Sequence, residues 1–217
     1  MTAAYVMAAY VMAACAGAAR HVWHGPNTAL ALLEGVPAPQ RTAMTRAQLP
    51  GLLGVPPDKV ALRRDGRGKP MLDTPEQAGC SFAHRGPLSL VGVAWGADVG
   101  VDLEVVHTGL PVCDIADTFF TPAEAGWLRA LPAHHRELGF TALWATKEAV
   151  LKASGRGIGK GLQTPRLRGA DFAPLLDGAI EIRLALADAS HVDTRHWTLE
   201  GGAVITAIAR VTPSETA

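Results

Sequence analysis

The chain has 217 residues, 48% hydrophobic and 18% charged, which is enough for one large domain or two small ones and too apolar for global disorder. Its 20 Lys and Arg balance 20 Asp and Glu, so no net field recruits nucleic acid or a membrane surface, and any electrostatic function must be local. Cys15, Cys80 and Cys113 are an odd, scattered set without metal-ligand spacing, which fits a reducing, cytoplasmic setting. The histidines, His21/His24 and His134/His135 among them, lack the companion ligands that a zinc site needs.

Residues 1–19 carry no charge and repeat Ala-Ala-Tyr-Val-Met in tandem at Ala3–Met7 and Ala8–Met12. Without a basic start this is a poor signal peptide, and mostly alanine it is a poor membrane span, so it reads as an N-terminal extension. His21–His24 with Gly25-Pro26-Asn27 predicts a short strand and a turn. Thr28–Glu34 is expected to form a short helix. Gln40–Leu53 predicts a second helix, carrying Arg41 and Arg46 and kinked or ended near Pro50-Gly51. Val60–Leu62 starts a strand that leads into the basic turn Arg63–Pro70. Ser81–Trp95 predicts two strands around Arg85-Gly86-Pro87, with His84 just before the turn.

Val99–Val105 alternates, with Val99, Val101, Leu103 and Val105 on one face and Asp102 and Glu104 on the other. Thr121-Pro122-Ala123-Glu124 is a capping-box helix start. That helix runs to about Ala130, and after Leu131-Pro132 a long helix carries Leu138, Leu143, Val150 and Leu151 as its buried stripe, with Gly155 as its terminator. Strands return at Ile180–Ala185, His196–Leu199 and Ala203–Ala209. Each part holds helix followed by a strand hairpin, so the expected architecture is α+β, with two similar α/β halves at residues 20–99 and 100–217.

Three stretches carry candidate chemistry. In Trp144–Gly161, Trp144, Glu148 and Lys152 fall four apart and share one helix face. Glu148 is the lone acid among Lys147, Lys152, Arg156, Lys160, Arg166 and Arg168, a pattern that suits a metal with a polyphosphate; the competing reading is an ion pair on a solvated face. Asp102 and Glu104 are hard oxygen donors that suit Mg²⁺, or they form the acidic outer face of an amphipathic strand. The turn around Gly68-Lys69-Pro70 offers close backbone approach and phosphate donors, or is a solvated hairpin loop. His84 is open between structural and chemical roles.

In this order, Gly68-Lys69-Pro70, Val99-Gly100-Val101-Asp102-Leu103-Glu104 and Trp144-Ala145-Thr146-Lys147-Glu148-Ala149-Val150-Leu151-Lys152, with Phe119–Glu124 between the acidic motifs, resemble the 4′-phosphopantetheinyl transferases, specifically the large single-chain Sfp-like class. The resemblance covers about Val60 to Leu162, is thin from Arg20 to Lys59 and is absent before Arg20. It implies a monomeric pseudo-dimer with coenzyme A bound between the halves. Mg²⁺ would sit on Asp102, Glu104 and Glu148. Lys69 with Pro70, His84 and Lys152 would hold the phosphates, and Arg41 and Arg46 are the candidates on the nucleotide side. The serine of an acyl, aryl or peptidyl carrier protein would attack the β-phosphate and release 3′,5′-adenosine bisphosphate. Glu148 would act as base directly or through a metal-bound water, with Lys152 as its catalytic companion.

Two departures stand out: Ala83-His84 replaces the frequent Ser-His, and Arg85 stands where a small polar residue is common. Phe119, Phe120, Trp127 and Leu128 are expected either to meet the carrier or to pack in the core. Two other readings compete: a non-catalytic module binding coenzyme A or a carrier protein, and a Mg²⁺-dependent phosphohydrolase.

Overall fold

The computed structural model describes residues 21–25, 27–74, 77–155, 161–179, 181–186, 192–199 and 204–211. The extension expected over residues 1–19 lies outside them. The first sheet is antiparallel, built from β1 (His21–His24), β2 (Thr28–Leu33), β3 (Ala61–Arg64), β4 (Pro70–Asp73), β5 (Ala78–Arg85) and β6 (Leu88–Trp95), in the order β1-β2-β6-β5-β4-β3. The second, also antiparallel, holds β7 (Asp98–Val105), β8 (Glu181–Ala185), β9 (Val192–Leu199) and β10 (Val204–Val211), in the order β7-β10-β9-β8. The runs β2-β6-β5-β4 and β7-β10-β9-β8 share one topology: a strand, a helical crossover, then three strands of which the last inserts beside the first.

The helices are α1 (Arg41–Arg46), α2 (Leu49–Leu53), α3 (Val112–Phe119), α4 (Pro122–Ala130), α5 (Ala133–Ser154) and α6 (Ala173–Leu176). Three apolar clusters stack the layers. Ala29, Ala31 and Leu33 of β2 pack with Leu49, Leu52 and Leu53 of α2. Leu30 and Leu32 meet Val99, Val101, Leu103 and Trp197 between the sheets. The second sheet's other face carries α3, α4 and α5 through Phe120, Leu128, Leu143, Leu151 and Phe172. Among the described residues no helix is long and apolar enough to cross a membrane.

The expected helix over Thr28–Glu34 is instead β2, paired with β1 on one side and β6 on the other. The run Ala-Leu-Ala-Leu-Leu is buried on both faces, and a short apolar run of that kind carries no period that separates strand from helix; pairing decides it. Over Gln40–Leu53 the break falls at Ala47-Gln48, earlier than expected. Pro50 sits in the first turn of α2, where its missing N–H costs nothing. The capping box holds at Thr121 and Glu124, and α5 ends at Gly155 with φ 64°. Helix α3 had no cap signal in the sequence strong enough to announce it.

Strand β7 lies directly on α5. A Cβ on Gly100 would stand 1.9 Å from Ala149 O and 2.4 Å from Ala153 N, so only glycine permits this approach. The same face carries Asp102, which is buried at 3% exposure; the acidic face of this strand is therefore turned inward.

Lys147 also points inward, although the sequence grouped it with the phosphate-facing bases. Its ammonium meets Glu124 Oε1 at 2.8 Å, Leu162 O at 2.8 Å and Pro165 O at 2.6 Å, and both charged side chains are fully buried. Glu124 Oε1 also accepts from Leu167 N at 2.8 Å, and its other oxygen accepts from Thr121 N at 2.9 Å. One ion pair thus ties α4, α5 and the segment after the glycine loop together.

His196 is buried against α5. Thr146 Oγ1 donates to Ala142 O at 2.7 Å, which leaves its oxygen to accept from His196 Nε2–H and assigns that tautomer. Nδ1 has no hydrogen-bond partner among the described residues, and the ring stands edge-on to Phe172 at 5.4 Å. Burial pushes the imidazole pKa down to about 3. A folded-state pKa below the unfolded value near 6.5 gives stability that is present above pH 6.5 and lost as pH falls toward 3, because only the unfolded chain takes up the proton there. Urea titrations across that window should show a slope of up to about 1.4 kcal/mol per pH unit from this group. His196→Gln should remove that component; an unchanged slope would show that this group does not set it.

Candidate active site

Strand β7 supplies Asp102 and Glu104, and α5 supplies Glu148 and Lys152, because alternation on the strand and four-residue spacing on the helix aim both sets across the same contact. Lys152 Nζ lies 2.5 Å from Asp102 Oδ1 and 3.7 Å from Glu148 Oε2. Trp144 Nε1 donates to Glu148 Oε1 at 2.8 Å, which fixes that carboxylate one turn along the helix. Arg85 Nε lies 3.1 Å from Glu104 Oε2, and its Nη2 is 3.2 Å from His107 Nε2.

Burial pushes the Asp102 carboxyl up to about 7; the Lys152 charge pulls it back, and Glu148 and Glu104 push it further up. The Glu104 carboxyl is also raised, first by burial, with Arg85 opposing and Glu148 adding. The three carboxylates therefore repel one another across a partly desolvated space, and two side-chain cations only partly offset them.

Among the described residues, no three His, Cys, Asp or Glu side chains are gathered as a metal-binding group. As the side chains stand, each carboxylate has a nitrogen partner: Lys152, Arg85 or the Trp144 indole. The donor chemistry nevertheless fits a hard divalent cation. All three groups are carboxylates, and Asp102 Oδ2 is buried with no hydrogen-bond partner among the described residues.

Beside these carboxylates lies a cavity of about 520 Å³ between α1, the β3–β4 turn, β5 and the C-terminal end of α5. Arg41, Arg46, Lys69, Pro70, His84 and Lys152 all line it, together with Arg64 and Arg67. Among the described residues, six fixed cations thus face one cavity, and no Asp or Glu lines it. Lys69 is held by Asp98 Oδ1 at 2.5 Å and Ala153 O at 2.7 Å. Asp65 shapes the turn by accepting from the Arg67 and Lys69 backbone N–H groups, each at 2.8 Å. Arg41 Nη2 donates to Gly86 O at 2.7 Å, while its Nε is buried without a partner among the described residues. The His84 pKa is lowered by partial burial first, with the charges of Arg41 and Lys152 adding. Cys80 also lines the cavity, but burial pushes its thiol up to about 12, so it is no nucleophile at neutral pH.

Some expected participants stand elsewhere. Arg156 and Lys160 lie outside the described residues. Arg166 and Arg168 are exposed away from the cavity lining. Of the four apolar candidates for carrier contact, Phe120 and Leu128 are buried in the core and Trp127 packs on Phe172; Phe119, at 45% exposure, remains at the surface, edge-on to Trp144 at 5.9 Å. Sequence reading had grouped Arg64 and Arg67 only as turn charges and passed over Asp98, whose signal was its place one residue before the Val99 motif.

Comparison with known proteins identifies relatives of one kind. The 4′-phosphopantetheinyl transferase HetI of Nostoc sp. is 38% identical over 118 residues, covering 53% of this chain and 50% of the relative. A 4′-phosphopantetheinyl transferase of Bacillus pumilus is 31% identical over 134 residues, 61% of this chain and 54% of the relative. A phosphopantetheinyl transferase of Thraustochytrium sp. is 31% identical over 185 residues, 74% of this chain and 64% of the relative. The chain thus spans about half the length of the first two of these relatives and under two thirds of the third. The family model for the 4′-phosphopantetheinyl transferase superfamily matches residues 98–209, just over half of the chain and the segment that carries Asp102, Glu104, Glu148 and Lys152. With this match added to the carboxylates and lysine of β7 and α5, the chain belongs to the 4′-phosphopantetheinyl transferase superfamily.

Proposed function

We propose that this chain transfers the 4′-phosphopantetheine arm of coenzyme A to a serine hydroxyl of an apo acyl, aryl or peptidyl carrier protein, with 3′,5′-adenosine bisphosphate as the leaving group. The observation that carries this reading is the cavity whose described lining residues include six cations and no carboxylate, and which runs at Lys152 into a cluster of three carboxylates. A polyanionic nucleotide is favoured by the first part and a divalent cation by the second. The activities for which these relatives are named point the same way.

Phosphoryl transfer asks a protein chiefly to position groups and neutralise charge. Arg41, Arg46, Arg64, Arg67, Lys69 and His84 would hold and orient the nucleotide phosphates from the cavity wall. Lys152, at the junction, would move from carboxylate to pyrophosphate without leaving its helix face. Mg²⁺ held by Asp102, Glu104 and Glu148 would neutralise charge growing on the leaving bisphosphate. Glu148, anchored by Trp144, would take the serine proton, directly or through water. The shared strand order of the two sheets supports the pseudo-dimer reading, in which the second half stands in for a partner subunit, and with it a monomer; the scattered cysteines are what favours action in the cytoplasm.

Chromatographic detection of 3′,5′-adenosine bisphosphate tests the reaction. Release is expected only when coenzyme A, Mg²⁺ and an apo carrier protein are all present. Breakdown of coenzyme A without carrier would mark a phosphohydrolase, and tight coenzyme A binding without release would mark a binding module.

A further inference from the structure

We propose that Arg85 is a built-in counter-ion that withholds Glu104 from the divalent cation until substrate phosphate draws the guanidinium away. The proposal rests on the reading above of a cation at Asp102, Glu104 and Glu148. Arg85 is the last residue of β5 and bridges the two sheets: its Nε is 3.1 Å from Glu104 Oε2 on β7, and its Nη2 is 3.2 Å from His107 Nε2 just beyond that strand. Its side chain is 45% exposed, whereas that of Glu104 is 16% exposed. The arginine is therefore the partner free to move.

Charge accounting favours this exchange. Asp102, Glu104 and Glu148 bring up to three negative charges, and Lys152 and Arg85 return two. A divalent ion entering with Arg85 in place would find Glu104 already neutralised and a guanidinium at the edge of its site. A polyphosphate beside His84 would offer Arg85 a planar bidentate partner, freeing Glu104 for the cation. Linkage makes the effect mutual: polyphosphate tightens cation binding, and the cation tightens polyphosphate binding by the same factor.

Calorimetric titration of the full chain with Mn²⁺ tests the coupling, with and without coenzyme A. Arg85→Gln should bind Mn²⁺ about tenfold more tightly than wild type in the absence of coenzyme A, the scale of one charge-assisted hydrogen bond. The enhancement that coenzyme A gives wild type should shrink by a similar factor. In a Glu104→Gln background, the Arg85→Gln gain should vanish. A gain that persists there would show a long-range charge effect and overturn the proposal, as would identical Mn²⁺ affinity in Arg85→Gln and wild type while Glu104→Gln weakens binding. Absence of Mn²⁺ binding in every variant, with coenzyme A bound, would overturn the cation reading itself. Thermal unfolding of each variant identifies any loss of fold.

Discussion

Glu148→Gln is expected to lower the transfer rate by about 10²–10⁴-fold, the range for a positioned general base, while leaving the fold intact. The glutamine carbonyl can still accept the Trp144 indole N–H that holds Glu148 Oε1 at 2.8 Å, and Lys152 keeps Asp102 as its closer partner at 2.5 Å. What disappears is the charge: on the proposed mechanism, the acceptor for a serine proton and one of the three carboxylates that would hold the cation. Arg156→Ala, in the glycine-rich stretch of the sequence, should cost less. Single-turnover kinetics alongside thermal unfolding separate chemistry from stability, and wild-type rates in Glu148→Gln would remove this residue from the mechanism.

The other large effect is on stability. Lys147→Met should destabilise the chain by about 3–5 kcal/mol, as expected when one partner of a buried ion pair is removed. It would leave the Glu124 carboxylate inside the protein with only the Thr121 and Leu167 N–H groups, and would release Leu162 O and Pro165 O from their donor. Adding Glu124→Gln to that variant should restore part of the loss, because the uncompensated charge goes while a hydrogen-bond acceptor stays. Urea unfolding measures both; a loss under about 1 kcal/mol in the single variant would mean that the pair is solvated or replaced, against its full burial here.

Lys147 also shows where sequence reading stops. Beside Lys152 it counted as one more base on a basic stretch, and nothing local distinguishes it. Its inward turn is set by Glu124, which arrives from α4 and was itself visible only as the closing residue of a capping box. Strand β7 was legible from its alternation, and helix α5 because an apolar stripe and a terminal glycine agreed. Strand β2 was not, because an alanine-leucine run buried on both faces reads equally as helix. Arg85 was recognised as unusual in type, but its direction toward Glu104 depends on how β5 crosses β7. Arg64 and Arg67 were visible as charges, yet their sharing of a cavity wall with Lys152 depends on bringing the β3–β4 turn to the end of α5.

The measurement closest to the central claim is intact-mass spectrometry of an apo carrier protein incubated with this chain, coenzyme A and Mg²⁺. The account predicts a gain equal to one phosphopantetheine arm, abolished by EDTA and strongly slowed in Glu148→Gln. Carrier proteins of the acyl, aryl and peptidyl kinds that all keep their original mass, while coenzyme A remains bound to the chain, would contradict it.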